Sequence, residues 1–168
     1  FQSQALAALV AVELRALNFN PDRLELEITE STLIAGTEKS LACLTSLKML
    51  GVRIALDDFG TGFSSLSYLC QFPFDKIKID KSFVDGIGKS PANAAVVKAI
   101  KQLGDALGMV ITVEGVEDEA QLMAVRELGC HQVQGFLLAA PLPARRAEEL
   151  LAANFTLPAE GPAQRASL

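Results

Sequence analysis

The chain has 168 residues, half of them hydrophobic, and a formal net charge of −5. This length is typical of one domain with its own core, and the composition excludes an intrinsically disordered chain. No apolar run reaches the ~18 residues of a membrane span, and the acidic balance argues against broad electrostatic binding to nucleic acid. Three scattered cysteines predict a reducing, cytoplasmic location. Because the chain starts at Phe1 and no signal segment follows, we expect a fragment or a processed product.

Short β-rich runs alternate with longer amphipathic runs along the chain. Helical spacing of apolar residues predicts a leading helix over 3–17, and five strand–helix units are predicted after it. The predicted strands cover 24–29, 52–58, 75–80, 109–115 and 131–135, and the predicted helices that follow them cover 38–50, 64–72, 92–107, 118–128 and 143–153. Such βα units predict a parallel sheet, in either a doubly wound fold or a TIM-type barrel. The tail, 154–168, is predicted to be flexible.

Polar residues mark the carboxyl ends of all five predicted strands. They are Glu27, Asp57, Asp58, Lys78, Asp80, Glu114 and Gln134. In an α/β barrel that rim is where catalytic groups collect, with several strands each contributing one or two. This placement favours the barrel over the doubly wound sheet, although a complete barrel has eight units and about 250 residues.

The segment DDFGTGFSSL, 57–66, is the most informative stretch of the sequence. Adjacent carboxylates at a rim repel each other unless a divalent cation lies between them, so Asp57 and Asp58 predict a site for a hard metal ion. The alternative is that Asp58 caps a turn and Asp57 is solvated. Glu27, at the end of its strand, is a further candidate ligand, whereas Glu30 could equally cap the turn that follows.

Four other positions are candidates, and three of them have a structural alternative. Lys78 could hold an attacking water or a phosphate oxygen, or form an ion pair with a nearby acid. Glu114 and Glu117 could be a metal ligand and a loop support, or a pair of acids at a helix N-terminus. Gln134 could donate a hydrogen bond to a ligand. His131, the only histidine, is interpreted as structural because no cysteine or histidine lies at ligand spacing.

Five motifs in this order resemble the EAL domain family. They are LELEITES, ALDDFGTGFSSL, KIKIDKSFV, TVEGVE and VQGF, and the resemblance covers roughly residues 5–152. Members of this family are bacterial phosphodiesterases that open the second messenger cyclic di-GMP to linear pGpG. The resemblance implies an α/β fold, a TIM-type (βα)8 barrel of which this chain covers about the last five units, with the EAL domain over 1–153.

The resemblance also implies roles for individual residues and a cofactor, Mg²⁺ or Mn²⁺, with two ions expected. The implied metal ligands are Glu27, Asp57, Asp58 and Glu114, the implied catalytic residues are Lys78, Glu114 and Asp57, the implied substrate-binding residues are Gln134 and Asp80, and the implied supports of the loop after the Asp pair are Glu117, Gly60, Thr61 and Gly62. The metal ions would activate a water for attack on phosphorus.

The chain also departs from the family pattern. The family's Glu-Ala-Leu motif and a metal-ligating Asn on a later strand have no counterpart here, and Ala140 stands where a Lys or Arg is usual. The second hypothesis is therefore an inactive module that binds cyclic di-GMP or another protein. Five units would leave exposed strand edges and an uncovered apolar sheet face, which predicts a homodimer, a swapped assembly or aggregation. A GGDEF, PAS or receiver domain could precede this segment in a parent protein.

Overall fold

The computed structural model describes residues 3–34, 37–60, 66–88 and 90–153. The strands are β1 (Glu25–Thr29), β2 (Arg53–Phe59), β3 (Lys76–Ile79), β4 (Val110–Val113) and β5 (Gln132–Val133). The helices are α1 (Ser3–Ala16), α2 (Glu30–Ile34), α3 (Thr37–Met49), α4 (Leu66–Gln71), α5 (Lys81–Val84), α6 (Pro91–Ala106), α7 (Glu119–Glu127) and α8 (Ala144–Ala152), with a 3₁₀ turn at Pro21–Arg23. The predicted tail, 154–168, lies outside the described residues.

All five strands are parallel and pair in chain order, β1-β2-β3-β4-β5. A doubly wound sheet reverses its strand order at a switch point, whereas a barrel adds each new strand next to the previous one. The described strands therefore form a continuous arc of the barrel type. This confirms the predicted α/β fold with a parallel sheet and places the carboxyl ends of all five strands along one rim.

One face of the sheet carries the hydrophobic core. Its residues alternate along each strand with those of the opposite face, as the two-residue period of a strand requires. Six of them, each at most 2% exposed, are Ile54, Leu56, Ile77, Ile79, Ile111 and Val113. They pack against apolar side chains of the surrounding helices, among them Leu44 and Leu47 of α3 and Val97 of α6. Burial on this face fixes the register, because a slip by one residue would turn every side chain over.

The opposite face of the sheet is mostly polar, and this corrects the expectation of an uncovered apolar face. Its polar residues are Glu25, Glu27, Lys76, Lys78, Thr112, Gln132 and Gln134, which line a cavity of about 430 Å³. Two pairs on this face satisfy each other. The ammonium of Lys76 contacts Glu25 at 2.7 Å, and the hydroxyl of Thr112 lies 3.0 Å from the Gln132 side-chain oxygen. The hydrophobic argument for a homodimer through this face is therefore removed.

Two short helices, α2 and α5, were not predicted from the sequence. With 5 and 4 residues they are too short to show a helical period. Both begin directly after a strand, and α5 is started by the Asp80 side chain. Among the described residues, no helix is long and apolar enough to cross a membrane.

Candidate active site

Lys78 lies at the centre of the candidate site, surrounded by acids from three other strands. Its ammonium nitrogen is 2.7 Å from a Glu114 oxygen, 2.8 Å from a Glu27 oxygen and 3.0 Å from a Asp57 oxygen. The Lys78 side chain is only 6% exposed. The sequence placed these residues at the ends of four different strands, and the structure brings them into contact.

The environment of Lys78 keeps its side chain cationic. Burial alone would lower the pKa of Lys78, but hydrogen bonds to Glu114, Glu27 and Asp57 outweigh it and raise the pKa above its ordinary value. Lys78 therefore cannot accept a proton at neutral pH. It can donate hydrogen bonds and offset negative charge.

A bulge in β2 directs Asp58 toward the same site as Asp57. The pairing of β2 with β3 shifts between Leu56 and Phe59, and Asp58 has a φ of +55°. In a regular strand two successive side chains would point to opposite faces. The left-handed backbone at Asp58 instead returns its carboxylate to the rim, and bulges are common where a strand must redirect a side chain.

Asp57, Asp58 and Glu114 form a group that fits a divalent metal ion. Each offers one carboxylate oxygen, and these oxygens all lie within 4.8 Å of one another. Carboxylate oxygens are the ligands that Mg²⁺, Mn²⁺ and Ca²⁺ prefer. Glu27, the fourth ligand implied by the sequence, lies outside this group and contacts Lys78 instead.

The charge on these acids is only partly offset by the protein. Burial raises the pKa of Asp58 above its ordinary value, and the negative charges of Asp57 and Asp80 raise it further. Four carboxylates, including that of Glu27, therefore face one lysine. A divalent cation would relieve this repulsion, so the donor set suits a metal ion by charge as well as by chemistry.

At its described start, Gly60, the loop after the Asp pair is contacted by Glu30. Glu30, only 6% exposed, lies 3.4 Å from the backbone nitrogen of Gly60, and its second oxygen is buried without a hydrogen-bond partner among the described residues. Glu117 forms an ion pair with Lys81 at 2.5 Å. Thr61 and Gly62, the other implied loop residues, lie outside the described residues. The sequence left Glu30 open as a turn cap, because the burial of its side chain cannot be predicted from the sequence.

The two implied substrate-binding residues differ in what holds them. Asp80 is the N-cap of α5, and its carboxylate accepts a hydrogen bond from the Ser82 backbone nitrogen at 3.0 Å. The side-chain hydrogen bond with Ser82 is the main cause that lowers the pKa of Asp80, and backbone hydrogen bonds add to it, while burial acts in the opposite direction. The Gln134 side chain is exposed and lines the 430 Å³ cavity. The Gln134 backbone is fixed by hydrogen bonds with Val113 and Val116, at 2.8 and 3.1 Å.

His131 has a structural position at the opposite end of β5. Its Nδ1 atom accepts a hydrogen bond from the Ile111 backbone nitrogen at 2.9 Å, and its Nε2 atom lies 3.5 Å from Asp105. It therefore joins β5 to β4 and contacts none of the four acids around Lys78.

A family model described as the EAL domain matches residues 1–141. The chain belongs to the EAL domain family. Among curated relatives, the chain is 42% identical over 141 residues to the cyclic di-GMP phosphodiesterase RocR of Pseudomonas aeruginosa, with 84% of this chain and 36% of RocR covered. It is 46% identical over 151 residues to the uncharacterized protein y4lL of Sinorhizobium fredii, with 90% of this chain and 18% of y4lL covered.

Solved structures of EAL proteins have the same fold as this chain. The EAL domain of Mycobacterium smegmatis DcpA matches with a TM-score of 0.85 at 37% identity, over 90% of this chain and 68% of that one. The PaMucR phosphodiesterase, solved as a c-di-GMP complex, matches with a TM-score of 0.78 at 43% identity, over 82% of this chain and 56% of that one. A manganese/cy-diGMP complex of Klebsiella pneumoniae BlrP1 matches with a TM-score of 0.76 at 33% identity, over 80% of this chain and 34% of that one. These neighbours identify the described arc as part of a TIM-type barrel. The chain spans about a third or less of the curated relatives named here.

Proposed function

We propose that this EAL domain is the metal-dependent phosphodiesterase unit of a bacterial protein that hydrolyses cyclic di-GMP to linear pGpG. The observation that carries the proposal is the contact of one buried lysine with three carboxylates. Two of these carboxylates, together with that of Asp58, form the group that fits a metal ion. The names of RocR and PaMucR as phosphodiesterases support the choice of reaction.

The metal site consists of Asp57, Asp58 and Glu114, with Glu27 as a fourth acid beside it. When bound, Mg²⁺ or Mn²⁺ would polarise the phosphate and make a water more acidic, and we propose two ions, as the family resemblance implies. Calcium and manganese complexes among the solved neighbours support a divalent ion. The acids also hold the Lys78 ammonium at the rim, where its fixed charge can stabilise negative charge that develops on the phosphate.

The substrate is bound by groups that flank this centre. Gln134 offers an exposed amide beside the cavity, and its fixed backbone keeps that amide near Lys78. Asp80 lies next to the acids, but its carboxylate already caps α5. We therefore propose that Asp80 mainly fixes the structure of the rim and does not mainly contact the substrate. In the reaction, water adds to one phosphodiester bond of the ring, and the products are a hydroxyl and a terminal phosphate on one linear dinucleotide.

The test is a hydrolysis assay of the 168-residue chain with cyclic di-GMP, in Mn²⁺ and separately in Mg²⁺, with pGpG measured by chromatography. Asp57→Asn should abolish pGpG, since it removes a charge from the metal site and from the contact with Lys78. Asp22→Asn, in the exposed 3₁₀ turn away from the rim, is the matched control and should leave the rate unchanged.

The outcomes separate the two hypotheses for this chain. pGpG that requires the metal and is lost in Asp57→Asn supports the phosphodiesterase. Calorimetric binding of cyclic di-GMP by a folded sample that forms no pGpG would refute hydrolysis and support the second hypothesis, a binding module. A folded sample that neither binds cyclic di-GMP nor forms pGpG would refute hydrolysis and cyclic di-GMP binding, and would leave the protein-binding module as the surviving form of the second hypothesis.

The wider setting is also part of the proposal. We infer that cyclic di-GMP is the small-molecule partner, that the protein acts in the bacterial cytoplasm, and that it forms a homodimer. A monomer in light scattering at micromolar concentration would refute the homodimer without affecting the assignment of the site.

A further inference from the structure

Two exposed residues outside the acidic cluster, Lys81 and Glu117, connect the chain segments that follow Lys78 and Glu114 at the rim. Lys81 is the first residue of α5, three positions after Lys78, and Glu117 lies three positions after Glu114. Their side chains form an ion pair at 2.5 Å, although each is nearly half exposed, at 45% and 44%. The hydrogen bond to Glu117 raises the pKa of Lys81 above its ordinary value.

The aliphatic part of Lys81 lies directly over the backbone at Gly115. A Cβ atom at Gly115 would be 2.4 Å from the Cγ of Lys81 and 2.5 Å from its Cβ. Gly115 also has a φ of +69°, which side-chain-bearing residues rarely adopt. Only glycine therefore allows Lys81 to cover the peptide that immediately follows Glu114.

The same short segment is fixed at every other position. The Glu114 backbone nitrogen donates to the Ile79 oxygen at 3.0 Å, and the Val116 nitrogen donates to the Gln134 oxygen at 3.1 Å. The Glu117 nitrogen donates to the Gln121 side chain at 2.7 Å. Among the backbone hydrogen bonds described outside helices and strands none involves Gly115, and the Lys81 side chain packs directly on it.

We propose that Lys81 is a positioning residue, which orients the Glu114 carboxylate by covering Gly115 and pairing with Glu117. The proposal concerns the same site as the proposed function, and the part that involves metal rests on it. Among the described hydrogen bonds and ion pairs, Lys81 pairs with Glu117 and not with Asp57, Glu114 or Lys78, so it acts on Glu114 through Gly115 and Glu117. An exposed ion pair contributes little to global stability, so this pair matters through the orientation of Glu114.

The test compares three variants of the 168-residue chain. Lys81→Met keeps most of the aliphatic part and removes the charge, and Lys81→Arg keeps the charge. Lys101→Met is the matched control, because Lys101 also forms a 2.5 Å ion pair with an aspartate, on α6 away from the rim. Thermal unfolding checks that all three variants remain folded.

The first readout is the ¹⁵N-edited NMR signal of the Lys78 ammonium in metal-free protein, because Glu114 is its nearest acid at 2.7 Å. We expect this signal to shift or broaden in Lys81→Met, to be restored in Lys81→Arg, and to stay unchanged in Lys101→Met. The second readout is the affinity for Mn²⁺ by calorimetry, which should fall about tenfold in Lys81→Met alone, as for residues that orient a metal ligand.

Each outcome decides a stated part of the proposal. An unchanged Lys78 signal in Lys81→Met, or an equal change in Lys101→Met, would overturn the positioning role. A shifted signal with unchanged Mn²⁺ affinity would overturn the part that concerns metal. Failure of the unmodified chain to bind Mn²⁺ would refute the metal centre of the proposed function, while the NMR signal would still decide the role of Lys81.

Discussion

The carboxylates of Asp57 and Asp58 lie on the same side of the sheet although the two residues are neighbours in one strand. Their oxygens are within 4.8 Å of each other because Asp58 has a φ of +55° at a bulge between Leu56 and Phe59. The strand thus accepts a backbone conformation that costs free energy and gains two acids at one point of the rim. Such local strain is typical of functional sites.

The first prediction separates the backbone at position 58 from its charge. Asp58→Asn should keep the fold, because Asn adopts positive φ more readily than most residues. It should also unfold no more easily than the unmodified chain, because burial and nearby acids disfavour the charged form of Asp58. Asp58→Val should lose roughly 1–3 kcal/mol in the free energy of unfolding, since a β-branched residue resists this conformation. Urea denaturation measures both.

Mn²⁺ titration of Asp58→Asn completes this test. The folded variant should bind Mn²⁺ at least tenfold more weakly, as one of three acids in the metal group loses its charge. Equal destabilisation by Asn and Val would contradict the explanation from backbone conformation. Full Mn²⁺ affinity in Asp58→Asn would contradict the metal group.

The strand positions and the acids of the site could be predicted from the sequence because both are local signals. Each β-rich run has the two-residue period of a strand, and parallel strands place their carboxyl ends at one rim. Glu27, Asp57, Lys78 and Glu114 follow from these two facts alone. The polar face of the sheet was equally readable, since Glu25 and Glu27 alternate with Leu26 and Ile28, but the prediction overlooked it.

The remaining features depend on contacts between distant segments. Glu27 contacts Lys78 and lies outside the metal group. The sequence places Glu27 near both Lys78 and the other acids, so the sequence alone could not decide which of them it contacts. The contact of Glu30 with Gly60 joins residues 30 positions apart. The bulge at Asp58 has no signal either, because DD after an apolar run fits a regular strand end as well.

A second prediction concerns the charge of Lys78. Lys78→Met should lower the free energy of unfolding by up to about 3 kcal/mol, because it leaves three acids facing each other, though all keep some contact with solvent. The pKa of Lys78 is raised in the folded protein. The stabilisation is therefore fully present below the ordinary lysine pKa of about 10.4 and is lost only as the pH rises through the folded value. The loss in Lys78→Met should thus be constant between about pH 6 and 9.

Mn²⁺ distinguishes this site from an ordinary ion pair. The ion should raise the thermal midpoint of Lys78→Met by more than that of the unmodified chain, because it supplies the missing positive charge. The control is Lys76→Met, because Lys76 lies on the same strand as Lys78 and forms a 2.7 Å ion pair with Glu25. This variant should respond to Mn²⁺ as the unmodified chain does. Hydrolysis should fall in Lys78→Met by about a hundredfold or more. Equal responses of the two variants would contradict a metal site around Lys78.

A third prediction compares three glycines that differ in the space available for a side chain and in their backbone conformation. A Cβ at Gly135 would be 2.1 Å from the Val116 oxygen, whereas nothing lies within 4 Å at Gly108 or Gly88. Gly108 has a φ of +71°, and no positive φ is found at Gly135 or Gly88. Gly135→Ala should cost about 1–3 kcal/mol through overpacking against backbone, and Gly108→Ala about 1 kcal/mol through its φ alone. Gly88→Ala should be neutral within about 0.5 kcal/mol.

The order of these three variants in chemical denaturation is the result that matters. A cost for Gly135→Ala no larger than that for Gly88→Ala would contradict the close approach of the two backbone segments. Because Gly135 follows Gln134, the same variant should also weaken cyclic di-GMP binding if Gln134 contacts the substrate. Gly108→Ala, far from the rim, should leave that binding unchanged.

The last prediction concerns Asp80, which caps α5 through the Ser82 nitrogen. Asp80→Ala should cost about 1 kcal/mol at pH 7, as for other N-caps. Hydrogen bonds from Ser82, first that of its side chain and then that of its backbone, lower the pKa of Asp80 in the folded protein. Its stabilisation is therefore present above the unfolded pKa of about 3.9 and is lost as the pH falls through the folded value. Urea denaturation from pH 7 down to about pH 3 should show the cost of Asp80→Ala shrinking toward the acid end. Ser90→Ala, which removes the uncharged cap of α6, is the control, and its cost should not depend on pH. Parallel pH curves for the two variants would mean that the Asp80 charge contributes nothing to the cap.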